Sequence, residues 1–358
     1  MDERLAPLRE RIDALDAQLL ELLSERARLA QQVGEIKRET NAPVWRPERE
    51  AQVRARLAAR NPGPLPDAAL DSIWREVMSA CRELERRLRV AYLGPAGTFS
   101  EQALRLHFGD GVEAVECARF DDVFRAAEAG GVDYGIVPIE NSTEGAVNRN
   151  LDLLLATPLR ICGELSLPIA HQLLTASGSL DGVERVCAHP QALAQCIGWL
   201  DRNAPQLRRE PVSSNAEGAR IAAGDASVAA IAGTLAATRW SLRPVARNIQ
   251  DDPYNRTRFV VLGPTDCGPS GADQTSLVLS VPDRAGAVHA LIEPLARHGV
   301  SMKRFESRPA RQQGSWAYHF YIDLIGHRED PPVAAALAEL RAGASFYKLV
   351  GSYPRSRD

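Results

Sequence analysis

The sequence predicts a multidomain fold: an all-α module, then a two-lobed α/β module, then a small α+β module. Three observations predict it. At 358 residues the chain is too long for one ordinary core. Residues 1–89 repeat apolar side chains at alternating three-four spacing, the pattern of a helical seam. From Val90 onward, short β-branched runs alternate with helical stretches, and after residue 273 the order becomes β-α-β-β-α-β.

Composition narrows the function. Hydrophobic residues make up 45% and charged residues 25% of the chain, as in a globular protein. A net charge of −3 gives no reason to expect nucleic acid or an anionic membrane as partner. Met1–Pro7 has neither a basic n-region nor an apolar h-region, and no apolar run is long enough to span a bilayer, so a cytoplasmic protein is expected. The six cysteines (81, 117, 162, 187, 196 and 267) are scattered and read as reduced thiols. The seven histidines lack the spacing of a metal site. Neither a metal nor a cofactor is expected.

In the first module, Leu5, Leu8, Ile12, Leu15, Leu19, Leu22, Leu29, Val33 and Ile36 define one seam and predict a helix over Leu5–Glu39. Such a helix is about 50 Å long, more than a small domain covers, so a partner chain is expected to bury part of it. A second helix follows Pro47, Pro62–Pro66 breaks the chain, and a third runs from Asp67 to about Leu88. Arg26 interrupts the seam, and a buried guanidinium without an anion is costly. Lys37 lies three turns on, on nearly the same face, and Cys81 and Glu85 share a face of the third helix. Two cations and a carboxylate facing inward suggest a pocket for a small dianion. A coiled-coil dimeriser with an internal salt bridge fits the same pattern.

The segments Leu8–Asp16, Glu25-Arg26, Gly34–Lys37 and Pro43–Glu50 resemble the all-helical chorismate mutases over essentially the whole module. That resemblance implies two interlocked chains, each pocket borrowing an arginine from the partner's first helix, here Arg9. It further implies Arg26, Lys37, Arg46, Arg49, Glu50, Cys81 and Glu85 as contacts to chorismate, with Arg26, Lys37 and Glu85 catalytic. Cys81 stands where Ser or Thr is usual, and a thiol is the weaker donor. Glu85 stands where Gln is common and can donate to the breaking ether oxygen only when protonated.

The central module is organised around Val132–Asn148. Tyr134–Ile139 reads as a buried strand that ends abruptly in Glu140, Asn141, Ser142 and Thr143, followed by Gly145 and a helical pattern. Ligands of open α/β sheets bind at such strand tips. Val90–Leu93 followed by Gly94–Ser100 and a helix predicts an anion site built from exposed N–H groups. Strand tips at Arg185–Pro190, Glu210–Ser214 and Ser227–Thr234 follow the same plan, and Asn255–Leu262 returns as a strand. Parallel sheets and two lobes around a cleft are expected.

Gly94–Ser100, Pro138–Ser142, His189–Gln191 and Thr257–Phe259 together resemble prephenate dehydratase. The resemblance implies a fold like that of periplasmic binding proteins, with Thr257 as the residue on which the chemistry depends. Thr98, Glu140, Asn141, Ser142, Gln195, Ser213, Arg258 and Phe259 would line the cleft. Ala188 replaces a Ser found in some members.

In the last module the order β-α-β-β-α-β over 273–358 is a ferredoxin-like split motif resembling an ACT domain. Gly286, Ala287 and Val288, with Glu306, Ser307 and Arg308, match its phenylalanine-binding signatures. The domains expected are thus 1–89, 90–267 and 273–358. Together the resemblances imply a bifunctional chorismate mutase–prephenate dehydratase, inhibited by phenylalanine, homodimeric through its mutase helices, with a larger assembly through the ACT domains left open. Two rival readings are a non-catalytic amino-acid sensor on a helical dimeriser and a mutase whose second module is only regulatory.

Overall fold

The computed structural model describes residues 4–40, 42–281, 284–310 and 318–356. They form two compact units, the first being the chain up to Leu88 together with Phe108–Glu113.

That first unit is built on α1 (Leu5–Glu39), α2 (Pro47–Ala59) and α3 (Asp67–Glu85). The first helix has the bounds its seam predicts. Gly34 alone is buried along it, and Leu8, Ile12, Leu19, Leu22 and Ile36 are each more than half exposed. Pro47 opens α2 at a position where its missing N–H costs nothing. Between α2 and α3, the Asn61 amide bonds Leu65 O and the Asp67 carboxylate, closing the proline-rich turn. Trp45 packs its ring 4.8 Å from that of Phe108. Arg82 is buried and donates both to Glu50 and to the Phe108 carbonyl.

The second unit holds the rest of the chain. Its elements run β1 (Leu88–Leu93), α4 (Phe99–Phe108), β2 (Val112–Cys117), α5 (Phe120–Glu128), β3 (Tyr134–Asn141), β4 (Gly145–Ala146), α6 (Asn148–Ala156) and β5 (Arg160–Pro168). The second lobe follows with β6 (Gln172–Thr175), β7 (Arg185–Ala188), α7 (Pro190–Gln195), α8 (Ile197–Asn203), β8 (Arg208–Pro211), α9 (Asn215–Gly224), β9 (Val228–Ala232), α10 (Thr234–Arg239) and β10 (Arg243–Arg247). Strand β11 (Arg256–Gly263) then returns to the first lobe.

The two sheets order β2-β1-β3-β11-β5, with β4 beside β3, and β10-β6-β9-β7-β8. Both are mixed, which corrects the expectation of parallel sheets. Strands β1 and β3 are parallel, as are β7, β8 and β9. Strand β11, however, runs antiparallel to both β3 and β5 because it comes back from the other lobe. Leu173, Val186, Leu200 and Ile231 anchor one core cluster of the second lobe.

The C-terminal part runs β12 (Asp273–Ser280), α11 (Ala287–Arg297), β13 (Met302–Pro309), β14 (Tyr318–Ile325), α12 (Pro331–Gly343) and β15 (Phe346–Pro354), the split motif expected. Its sheet orders β13-β14-β12-β15, and Leu277, Leu291, Ile322 and Leu337 fill its core. Pro282, Asp283 and Trp316 lie outside the described residues. Strand β15 crosses β5 so closely that a Cβ on Gly351 would sit 2.2 Å from the Ile161 carbonyl oxygen. The Lys348 ammonium bonds the Leu154 and Leu155 carbonyls at the C-terminus of α6, each at 2.9 Å, where a cation opposes the helix dipole. No helix among the described residues is long and apolar enough to cross a membrane.

Candidate functional site

In the helical unit, four of the expected residues converge. Arg26 Nη1 lies 2.8 Å from Cys81 Sγ, and Lys37 Nζ donates to Glu85 Oε2 at 2.9 Å and to the Val44 carbonyl at 2.8 Å. Lys37 and Glu85 are largely buried, with side-chain exposures of 19% and 10%. Residues 26 and 37 come from one face of α1, and 81 and 85 from successive turns of α3. The helical periodicity itself therefore builds the cluster. Glu50 sits close by on α2, turned to Arg82, a buried cation that sequence reasoning missed. Arg46 is paired with Glu48 at 2.8 Å, and Arg49 is exposed. Arg9 is exposed and precedes Arg26 by 17 residues on one helix, about 25 Å along the axis.

In the α/β unit, Thr257 of β11 lies directly across from Asn141 of β3. The backbone N–H groups of Thr143 and Glu144 both donate to Asn141 Oδ1, at 3.0 and 3.1 Å. Backbone amides can only donate, so they fix the orientation of the Asn141 amide. Its Nδ2 must then donate, to Thr257 Oγ1 and to Asn255 Oδ1, both at 2.9 Å. Asn255 in turn donates to Gln195 Oε1 at 3.2 Å, and Gln195 donates to Thr143 Oγ1 at 3.2 Å. Gln195 Oε1 is thus an acceptor, so His171 Nε2, 3.1 Å away, carries the hydrogen. His171 Nδ1 is buried with no hydrogen-bond partner, and burial lowers the pKa of the ring below its usual 6.5, the Gln195 bond opposing only in part. Direction therefore propagates from two backbone amides to a neutral histidine. Thr257 accepts from Asn141, which leaves its own hydroxyl hydrogen to donate.

Asn255 and His171 were not singled out from sequence. Asn255 carried a usable signal, because it stands two residues before Thr257, on the same side of an extended chain. Ser142 accepts from the Arg256 N–H at 2.9 Å and holds the strand tip. Thr98 donates to the Leu93 carbonyl at 3.3 Å, Ser213 is exposed and Phe259 is buried. No hydrogen bond among the described residues joins Thr98, Ser213 or Phe259 side chains to the network. The anion site expected at Gly94–Ser100 is partly filled from within. Buried Glu101 accepts from the Gly97 N–H at 2.7 Å, and Glu116 accepts from the Ala96 N–H at 3.0 Å.

Arg258 and Glu140 differ from expectation. Both leave the reverse faces of their strands, toward the C-terminal sheet. Arg258 donates to Asp323 at 2.5 Å, Glu164 at 2.8 Å and the Tyr353 hydroxyl at 3.1 Å. Burial opposes its charge, but the Asp323 and Glu164 carboxylates outweigh it and raise its pKa. Burial likewise raises the Tyr353 phenol, which stays neutral. Glu140 lies 3.2 Å from Arg304.

In the C-terminal part, Gly286 caps α11 with φ +77°, a conformation that glycine adopts without a steric penalty. Ala287 is buried, while Val288 and Ser307 are exposed. Glu306 is 3.9 Å from Arg304, and Arg308 pairs with Asp152 of α6 at 2.9 Å. All six cysteines are buried and none is in a disulfide, and no cluster of metal-ligating side chains occurs among the described residues.

Comparison with known proteins matches three families in order. Residues 8–86 match chorismate mutase type II, residues 90–267 prephenate dehydratase and residues 275–342 the ACT domain. A mutase, a lyase and an amino-acid-sensing module on one polypeptide define a fused, regulated biosynthetic enzyme. The bifunctional chorismate mutase/prephenate dehydratase of Neisseria gonorrhoeae is 49% identical over 99% of this chain and 98% of its own. That of Aquifex aeolicus is 42% identical over 99% of both. The structure of prephenate dehydratase from Arthrobacter aurescens in complex with L-Phe is 35% identical, with a TM-score of 0.69 over 75% of this chain and 90% of that one. The chain belongs to the bifunctional chorismate mutase/prephenate dehydratase family. It converts chorismate to prephenate and prephenate to phenylpyruvate, with loss of water and carbon dioxide, in phenylalanine biosynthesis under feedback by phenylalanine.

Proposed function

We propose that the two reactions are carried by the two clusters above, each in its own unit. Rearrangement of chorismate is pericyclic and needs preorganised charge rather than a covalent intermediate. Arg26, Lys37 and Arg49 supply cations for its carboxylates. Lys37 and Glu85 face the ether oxygen, with Glu85 donating when protonated. Arg9, about 25 Å from Arg26 along one helix, serves the pocket of a second copy. The exposed leucine and isoleucine seam of α1 supports a homodimer through interlocked first helices. The dimer and the two substrates fit a cytoplasmic enzyme, as does the absence of a membrane-spanning helix among the described residues.

For the dehydratase, the ring hydroxyl of prephenate leaves as water while the ring carboxylate leaves as carbon dioxide. The electron pair of the breaking carbon–carbon bond closes the aromatic ring as the carbon–oxygen bond breaks. The departing oxygen needs a proton; the Thr257 hydroxyl hydrogen-bonds to it, any proton it passes on being replaced from solvent, while Asn141 donates to Thr257 Oγ1. That hydrogen bond is the observation that carries the reading.

Thr257→Ala should abolish phenylpyruvate formation from added prephenate while chorismate is consumed at the normal rate. Loss of both activities would mean that Thr257 supports the fold instead. Ile12→Glu should convert a dimer into monomers by light scattering and remove mutase activity, and a variant that stays dimeric and active would refute the interlocked helices.

A further inference from the structure

The dehydratase lobe and the C-terminal sheet meet over a cavity of about 260 Å³ with an ionic wall of Glu140, Glu164, Arg258, Lys303, Arg304 and Asp323. Strands β3 and β11 supply that wall and the catalytic network together. In their register Thr257 faces Asn141, and the next pair is Arg258 with Glu140. Successive strand residues leave opposite faces. One pair therefore looks into the cleft while the other, a single residue along each strand, looks at the C-terminal sheet. Arg258 is fastened there to Asp323 of β14 at 2.5 Å.

Glu140 is held less firmly. It is 3.2 Å from Arg304 Nε and 4.0 Å from Arg258. The Arg304 side chain is only 10% exposed, and its Nε and Nη2 are buried without a hydrogen bond of good geometry. Glu306, on the same side of β13, lies 3.9 Å from Arg304 Nη2. A buried guanidinium that lies between two carboxylates and is bonded squarely to neither has a choice of partner, and leaving it without one is costly. One carboxylate adjoins Asn141. The other adjoins Ser307 in the segment that matches the effector signature.

We propose that Arg258 and Glu140 are positioning residues for the dehydration step, holding Thr257 and Asn141 from the reverse face of their strands, and that Arg304 transmits effector binding to them by exchanging Glu140 for Glu306. The proposal rests on the reading of Thr257 as proton donor. It names Arg304 as the two-state element that a coupling claim requires, biased from both sites.

The test uses the full chain with prephenate, phenylalanine and four variants, Glu140→Gln, Glu140→Asp, Arg304→Gln and Thr257→Ala. Mutase turnover reports that the helical unit has folded, and phenylalanine binding by calorimetry reports the same of the unit that carries the substitutions. Glu140→Gln should lower dehydratase kcat about tenfold with KM unchanged, the pattern of lost transition-state geometry rather than lost substrate contact. Glu140→Asp should recover most of that loss. Arg304→Gln should raise the phenylalanine concentration for half-inhibition about tenfold while calorimetry gives an unchanged phenylalanine Kd, because coupling and binding are separable. A raised KM at constant kcat in Glu140→Gln would make Glu140 a substrate contact and overturn the positioning role. Unaltered inhibition in Arg304→Gln would overturn the exchange. Full turnover in Thr257→Ala would instead remove the underlying reading, a separate outcome.

Discussion

Gly34 of α1 and Glu85 of α3 touch so closely that a Cβ on Gly34 would lie 2.8 Å from Glu85 Cγ and 3.1 Å from its Cβ. The bare backbone at 34 lets the Glu85 carboxylate reach Lys37. Alanine there would gain up to about 1 kcal/mol of helix propensity, yet the overlap forces Glu85 aside. Gly34→Ala should cut mutase kcat/KM about tenfold or more, since misplacing a catalytic group by an ångström has that order of effect. Dehydratase turnover should be unchanged. Normal mutase kinetics in this variant would show that the position of Glu85 does not matter.

Glu85→Gln tests the donor to the ether oxygen. In the unliganded site Glu85 accepts from Lys37, and a carboxylate has no hydrogen to donate, whereas the Gln amide always has one. Mutase kcat should therefore be kept or raised in Glu85→Gln while dehydratase turnover is unchanged. A fall in mutase kcat of about a hundredfold, the size of a lost acid–base contribution, would exclude Glu85 as donor.

Asn141→Asp tests the directed network. The substitution keeps shape and keeps the oxygen that receives two backbone amides. It replaces the donor facing Thr257 and Asn255 with an acceptor. Dehydratase kcat should fall about a hundredfold, the lower end of the loss for one preorganised donor, with mutase activity intact. Retained turnover in Asn141→Asp would mean that Thr257 needs no polarising partner.

His171 should make the folded dehydratase less stable in acid. Its folded-state pKa is lowered, first by burial, and the nitrogen that would take the proton is buried without an acceptor. Between its lowered value and the ordinary 6.5, the unfolded chain binds more protons than the folded one, so stability rises with pH there. The contribution is complete above pH 6.5 and is lost as pH falls from that point through the folded-state value. His171→Gln keeps a side-chain donor for Gln195 and should lessen the drop in urea midpoint between pH 7.5 and 5.5 (values chosen to straddle about 6.5). An equal drop in both proteins would assign the acid loss to other groups.

Much of the helical unit was legible because a helix repeats its message. The seam alone returned Leu5–Glu39, and spacing alone put Arg26 and Lys37 on one face. The dehydratase cleft was less legible for a matching reason. Motifs are read as consecutive letters, whereas a strand sends consecutive letters to opposite sides. Glu140 with Asn141, and Thr257 with Arg258, were expected in one cleft and are divided between two faces. Asn255, with no motif of its own, belongs to the network by alternation. His171 could not be found, since nothing local says that a lone histidine will be buried against a glutamine distant in sequence. Antiparallel β11 escaped notice because strand direction is decided by a return from the second lobe.

The short segment Phe108–Glu113 bears on how this polypeptide can be divided. It lies after β1 in sequence yet packs with the helical unit, where the Phe108 ring meets Trp45 and its carbonyl receives the Arg82 guanidinium. A fragment ended at Leu88 would keep the catalytic cluster but bare an indole and leave the Arg82 guanidinium with Glu50 and without the Phe108 carbonyl. Recombination at the obvious seam would therefore hand on a mutase that is complete in its chemistry and unfinished in its surface. A cut that preserves a sound fragment has to follow the packing, and no single peptide bond does so.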